Sequence, residues 1–315
     1  MGQEIIIATR GSKLALWQAN HVSALLQKTY PELKVRLKII KTSGDKIQDV
    51  PLAQIGGKAL FVKEIEEALL AGEADLAVHS MKDVPAELPQ GLKLGIMPPR
   101  GNFADCLLSN HYPDLKSMPA GSTIGTSSLR RQAQLLALRP DLEIKALRGN
   151  LDTRIKKLKQ EQFSAIVVAS AGLQRLGLST EYAHDLQPPD FLPAVGQGAL
   201  GLEYLETNEK LEATLRFLEH WPTRTAITAE RSFLHELEGG CQVPIAGLAQ
   251  VDAEDSLSLQ VLVADLQGKR VLRRTARSNV EKAEELGRHT AKELLNAGAK
   301  QILQEVYACS SPPNS

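Results

Sequence analysis

Long apolar runs are missing from this chain of 315 residues. No stretch approaches the ~20 apolar residues that a helix needs to cross a bilayer. The N-terminal run Ile5-Ile6-Ile7-Ala8 is short and follows no basic segment, so it does not read as a signal peptide. Gly2 lacks the myristoylation pattern, because Ile6 stands where that motif needs Ser or Thr. Cysteine is scarce as well. Cys106, Cys241 and Cys309 are odd in number, widely spaced and without a CxxC pair, which fits a reducing compartment and gives no sign of a zinc site or a redox dithiol. Net charge is the third absence. Lys plus Arg and Asp plus Glu each total 37, so no overall field draws nucleic acid or an anionic membrane, and any basic site is local. A Walker loop, a GxGxxG fingerprint and a Ser-His-Asp order are also lacking, which leaves nucleotide chemistry without support. The expectation is a soluble, cytoplasmic protein with neither a membrane nor a nucleic-acid partner.

The chain has apolar residues enough for packed cores, 43% of the total, and a length that predicts two or three domains. Strand and helix signals alternate from the start. Ile5 to Ala8 reads as a strand, and Ser12 can cap a helix carrying Leu14, Trp17, Val22 and Leu25. Val35, Leu37 and Ile39 alternate in a second strand. The polar segment from Thr42 to Lys58 is long for a connection, and such segments are usually lids or disordered. A helix from Leu60 to Ala71 ends at Gly72, and a buried strand, Asp75 to Ser80, follows. Pro98-Pro99-Arg100-Gly101 looks like a linker. Beyond it, strands at Thr123–Gly125, Ile144–Leu147 and Ala165–Ala169 alternate with helices over Leu129–Leu138, Asp152–Leu158 and a short one ending at Gly177. This rhythm predicts parallel sheets with helices on both faces. From about Thr223 the pattern changes to a helix, three strand-like stretches around 245–251, 257–264 and 271–276, and a closing helix from Val280 to Leu295. That order predicts a small α+β unit.

The chain is organised around Asp75-Leu76-Ala77-Val78-His79-Ser80-Met81-Lys82-Asp83-Val84-Pro85. Pro85 biases Val84 away from helical dihedrals, so a buried strand delivers a Lys and an Asp to a loop at its carboxyl end. Open α/β sheets bind ligands there; a solvated turn is the alternative. Ser127-Ser128-Leu129-Arg130-Arg131 is the strongest anomaly. Cations in a first helical turn oppose the helix dipole by about 0.3–1 kcal/mol each, whereas the free N–H groups at that end welcome an anion. The pattern makes sense if a carboxylate or phosphate binds, and an exposed basic turn paired to local acids is the alternative. Arg10 and Arg148 end strands, Arg154 lies in a first helical turn, and Arg175 sits inside a short helix. Guanidinium forks suit carboxylates, and such a set would make a polyanion cleft in a chain of zero net charge. Asp83, ionised at neutral pH, could steady a developing cation or pass protons. Cys241 follows Gly239-Gly240 and could be a point of covalent attachment or a small buried hydrophobe; Cys106 reads as a core residue and Cys309 as a tail residue.

Taken together, these stretches resemble the porphobilinogen deaminase (hydroxymethylbilane synthase) family. The matching segments are Ala8-Thr9-Arg10-Gly11-Ser12, Gly56-Gly57-Lys58-Ala59-Leu60-Phe61, Ala77-Val78-His79-Ser80-Met81-Lys82-Asp83-Val84-Pro85 and Ile124-Gly125-Thr126-Ser127-Ser128-Leu129-Arg130-Arg131. Leu147-Arg148-Gly149-Asn150, Leu192-Pro193-Ala194-Val195-Gly196-Gln197-Gly198 and Leu237-Glu238-Gly239-Gly240-Cys241-Gln242-Val243-Pro244 complete the set in chain order. Lys13 departs from it, standing where many members have proline.

The resemblance implies an α/β fold: two doubly wound lobes like those of bilobal solute-binding proteins, plus a small α+β C-terminal domain. The implied divisions are 1–98 with a returning 199–216, then 99–198, then 217–315. It implies a dipyrromethane cofactor held by Cys241 through a thioether. Four molecules of the substrate porphobilinogen are joined onto it with loss of ammonia, and hydroxymethylbilane is released. Asp83 would be catalytic, stabilising a cationic azafulvene. Lys82, Arg130, Arg131, Ser127 and Ser128 would hold the cofactor; Arg10, Ser12, Arg148, Arg154 and Arg175 would hold substrate; Lys58 and Phe61 would form the lid. No metal is implied, and a monomer is expected. One rival reading is an intracellular anion-binding module of the same fold, which has no use for Cys241; the other is a regulatory protein whose sensor lobe has that fold, for which the sequence offers no helix-turn-helix or basic face.

Overall fold

The structure is a computed structural model that describes residues 4–46, 62–238 and 243–310. It divides into two compact units. Of the described residues, the first takes in those up to 46, 62–101 and Ala199–Arg224, and the second takes in Asn102–Gly198 and those from Thr225 onward.

The first unit begins with β1 (Glu4–Thr9), α1 (Lys13–Thr29) and β2 (Lys34–Ile39). A helical turn, α2 (Ser43–Lys46), leads toward α3 (Lys63–Leu70), β3 (Leu76–Ser80) and β4 (Leu92–Ile96). Much of the lid segment expected between Thr42 and Lys58 lies outside the described residues. The sheet runs β2-β1-β3-β10-β4, where β10 (Leu200–Leu205) returns from far along the chain. β1 pairs in parallel with β2 and β3, whereas β10 is antiparallel to β3 and β4. The expectation of a parallel sheet holds for β1, β2 and β3 and is corrected at β10: strands alternating with helices report local connections, and β10 enters from a distant segment that the local pattern does not reveal. Period-two alternation sorts the side chains onto two buried faces. Ile5, Ile7, Leu76 and Val78 pack with Val22 and Leu26 of α1, while Ala8 and Ala77 pack with Ile65 and Leu69 of α3. Each fully buried Leu or Ile contributes about 1.5–3 kcal/mol, so helices on both faces hold β3 in place.

The second unit contains β5 (Asp105–Ser109), β6 (Thr123–Gly125), α4 (Leu129–Leu138), β7 (Glu143–Lys145) and α5 (Leu151–Lys159). β8 (Ala165–Ala169), α6 (Ser170–Leu176) and β9 (Tyr182–Leu186) complete a sheet of order β7-β6-β8-β5-β9. Here β6 is parallel to β7 and β8, and β5 is antiparallel to β8 and β9. The same unit holds most of α8 (Trp221–Glu236), which follows α7 (Glu209–Leu215), and a three-stranded antiparallel sheet of β11 (Ile245–Val251), β12 (Ser256–Ala264) and β13 (Val271–Asn279). Phe233 of α8 packs beneath that sheet with Leu286 and Leu294 of α9 (Ala283–Leu294) and Ile302 and Val306 of α10 (Lys300–Ser310). The expected closing helix, with Gly298 at its end, is α9; α10 is a further helix beyond it, parted from α9 at Gly298, whose φ of 108° no side-chain-bearing residue adopts readily. No described helix is long and apolar enough to cross a membrane.

Candidate active site

The strand that carries Asp83 is fixed at both ends. At its start, the Ile6 N–H donates to Asp75 Oδ2 at 2.8 Å, and the Asp75 N–H donates to the Ile6 carbonyl at 2.9 Å. At its end, Gln18 Nε2 on α1 donates to Ser80 Oγ at 2.8 Å, and the Met81 N–H donates to the Ala199 carbonyl at 3.1 Å. Met81–Asp83 then forms one 3₁₀ turn. Met81 is its buried anchor, and it fits because residue 201 is glycine: a Cβ there would lie 2.2 Å from Met81 Sδ. Consecutive residues of a 3₁₀ turn point about 120° apart. With Met81 inside, Asp83 projects outward and is exposed, and Lys82 is half-buried.

Asp83 lines a small open pocket together with Arg10, Ser12, Gln18, His79 and Ser80. Arg10 arrives from the end of β1. Ser12 caps α1, its Oγ accepting from the Ala15 N–H at 3.3 Å. The pocket joins a carboxylate, a guanidinium and hydroxyls at the carboxyl ends of parallel strands, where one group can bind an anion while another faces a developing cation. Gln18 and His79 were not singled out from sequence. The only available signal was a polar side chain within an otherwise apolar helix face or strand.

The basic motif of the second unit lies differently from an open anion site. Ser128 caps α4, accepting from the Arg131 N–H at 3.4 Å, as the sequence suggests. Yet Arg130 and Arg131 are both buried, at 5% and 6% exposure, against the fully buried carboxylate of Asp105 at the head of β5. Arg130 Nη1 donates to Asp105 Oδ2 at 2.6 Å and to the Leu192 carbonyl at 2.7 Å. Arg131 donates to Asp105 Oδ1 from Nε at 3.0 Å and from Nη2 at 2.7 Å, and to the Val167 carbonyl from Nη1 at 2.9 Å. Gln197 Nε2 adds a further bond to Asp105 at 3.0 Å. Burial alone would raise the Asp105 carboxyl, but the two guanidiniums hold it well below the usual carboxylate range. Burial pulls Arg130 downward, and Asp105 opposes that pull. The unfavourable first-turn cations therefore have an internal partner, and two cations face one carboxylate.

Ser127 Oγ donates to the Leu147 carbonyl at 2.9 Å, tying the α4 cap to the loop that carries Arg148. Arg148 and Arg154 stand either side of the Gly149-Asn150 turn, where Asn150 caps α5 by accepting from the Thr153 N–H and Arg154 Nε donates to the Gly149 carbonyl. Gly149 has a φ of 109°, and a Cβ there would meet Thr153 at 2.8 Å. Arg175, on α6, donates to the Gly198 carbonyl at 2.8 Å, and its burial lowers its pKa. Cys106 is a core thiol, pushed up to about 12 chiefly by burial and secondarily by Asp185, so it is no nucleophile at neutral pH. Cys241, Lys58 and Phe61 lie outside the described residues.

The first unit is thus an α/β sheet domain with an exposed carboxylate, a guanidinium and hydroxyls lining one strand-end pocket. Residues 5–213 match the family model "Porphobilinogen deaminase, dipyromethane cofactor binding domain", and residues 224–296 match "Porphobilinogen deaminase, C-terminal domain". The chain belongs to the porphobilinogen deaminase family, a family of tetrapyrrole-forming transferases with a dipyrromethane cofactor. Porphobilinogen deaminase of Nitratidesulfovibrio vulgaris strain DP4 is 58% identical over 307 residues, covering 97% of this chain and 98% of that one. The Maridesulfovibrio salexigens protein of the same name is 58% identical over 305 residues, covering 97% and 99%. Among solved structures, the periplasmic aliphatic sulphonate binding protein SsuA of Escherichia coli aligns with a TM-score of 0.41 at 15% identity, covering 76% of this chain and 71% of that one.

Proposed function

We propose that this chain joins four porphobilinogen molecules head to tail, with loss of ammonia at each junction, onto a dipyrromethane held covalently by Cys241, and releases hydroxymethylbilane by hydrolysis. The observation that carries this reading is Asp83, exposed at the end of a rigidly held strand and sharing one pocket with Arg10 and Ser12, in a chain of this family. Its carboxylate faces the positive charge that develops as an aminomethyl group departs, and it accepts hydrogen bonds from pyrrole N–H groups. Arg10 and the Ser12 hydroxyl hold the acetate and propionate of an incoming ring, as charge-assisted bonds do best.

The donor set fits an acidic cofactor. Arg130 and Arg131 set two cations against one carboxylate, which leaves a net charge for an acetate or propionate to satisfy. Lys82, Ser127 and Ser128 join them in holding the cofactor, and Arg148, Arg154 and Arg175 serve the growing chain. When bound, the dipyrromethane supplies the pyrrole end from which the product is extended. Three domains, 1–98 with 199–216, 99–198 and 217–315, make up a cytoplasmic monomer in this proposal.

Intact-mass measurement tests the reading. The purified protein should exceed its 34.3 kDa sequence mass by two substrate units less two ammonias, and denaturation in reducing agent should not remove the excess. Peptide mapping should place it on Cys241, and brief incubation with substrate should add one-ring increments. A fully active protein of unmodified mass would contradict it.

A further inference from the structure

Three ionisable side chains are buried together on the face of β3 that packs against α3. His79 Nε2 lies 2.8 Å from Glu203 Oε2, the two residues being 5% and 0% exposed. Glu66 of α3 is also buried on that side, at 5% exposure. One oxygen of Glu66 and one of Glu203, Oε1 in each, have no hydrogen-bond partner among the described residues. An orphaned buried oxygen is costly, and two such carboxylates beside one imidazole cost more unless a proton is held among them. We propose that Glu66, His79 and Glu203 form a positioning triad, carrying a proton on Glu66, that sets where β3 ends and so where Asp83 stands.

The geometry explains why such a device belongs here. Ser80 projects to the α1 face, where Gln18 holds it, and His79 projects to the α3 face, where Glu203 holds it. The last two residues of β3 are thus gripped from opposite sides immediately before the turn that bears Asp83. His79 also lines the Asp83 pocket, so the triad reaches from the interior to the wall of the site. A proton on Glu66 turns one of the orphaned oxygens into a donor. The charged groups around Glu66 are Glu203 from β10, His79 from β3 and Glu67 on its own helix; β1 and β4 bring apolar Ala8 and Leu92 to that helix. Burial first, then the charge of Glu203, raise the Glu66 carboxyl from 4.5 to about 7, while His79 opposes them. The folded chain therefore keeps a proton that the unfolded chain loses near 4.5. The stability that this proton contributes is full below 4.5, is lost as pH rises toward about 7, and changes no further above that.

The inference rests on Asp83 acting at the reacting centre, and the two readings fail separately. Full turnover by Asp83→Asn would remove the Asp83 reading alone. For the triad, the holoenzyme and its Glu66→Gln variant are compared across about pH 5 to 8, reading kcat, KM and denaturation midpoint. In the wild type, kcat should fall as pH approaches and passes about 7 with KM steady, and the denaturation midpoint should fall between 4.5 and about 7. Glu66→Gln, permanently neutral, should flatten both curves and be the more stable protein at neutral pH. Glu203→Ala should lower kcat by about 10- to 100-fold, since small misplacements of a reacting group cost that much, and Glu203→Gln should recover part of it. Glu66→Gln curves that superpose on the wild type would overturn the triad. So would failure of Glu66→Gln to fold, because a neutral side chain of that shape is the state proposed.

Discussion

Asp83 and Asp105 are both aspartates near clustered cations in a sheet-containing unit, and the molecule treats them in opposite ways. Asp105 is fully buried, its oxygens taken by Arg130, Arg131 and Gln197. Asp83 is exposed on a turn that its neighbours hold rigid from behind. A carboxylate saturated with internal donors has no capacity left for a substrate, and its removal leaves uncompensated buried charge. One that is held in place through its backbone keeps both oxygens available. The comparison teaches that proximity to arginine does not identify a catalytic acid; what distinguishes the two is which atoms are already in use.

The sharpest way to break the comparison is to neutralise Asp105. Asp105→Ala leaves two buried guanidiniums unpaired and should cost about 3–5 kcal/mol, read by chemical denaturation. For the same reason, Arg131→Ala should show as lost stability before it shows as lost cofactor binding. The Asp105 contribution should be complete above the ordinary carboxylate range, because its folded pKa is depressed, and should disappear only in strong acid. Arg148→Ala, at a half-buried loop position, should cost about 1.5–3 kcal/mol in the binding of a carboxylate. It should leave the denaturation midpoint near the wild-type value, and single-turnover binding measurements read the difference. Gln18→Ala should have the smallest effect, about 0.5–1.5 kcal/mol of stability for one lost hydrogen bond, with a modest drop in kcat as Ser80 loosens.

Local structure was largely legible in the sequence. Leu129–Leu138, Ala165–Ala169 and Ile245–Val251 fall where periodicity and capping place them. The strands that escaped, β5, β9 and β10, did so for two reasons. β5 opens on Asp105 and β10 carries Glu203, both charged residues that become buried through partners far away in sequence, and β9 is a mostly exposed edge strand. Charge inside a short apolar run reads as a break until its partner is known. The same blindness applied to the site. The strand-end position of Asp83 follows from Pro85 and the preceding apolar run, but Arg130 and Arg131 could not be matched to Asp105 across 25 and 26 residues. Nor could His79 be matched to Glu203 across 124.

The most direct test of the central claim measures turnover and folding stability of Asp83→Asn on the same holoenzyme preparation. The account expects a denaturation midpoint close to wild type and a kcat reduced by about 100- to 1,000-fold, the scale for losing one preorganised charge at a reacting centre, with Asp83→Glu intermediate. Near wild-type kcat in a normally folded Asp83→Asn protein would contradict it.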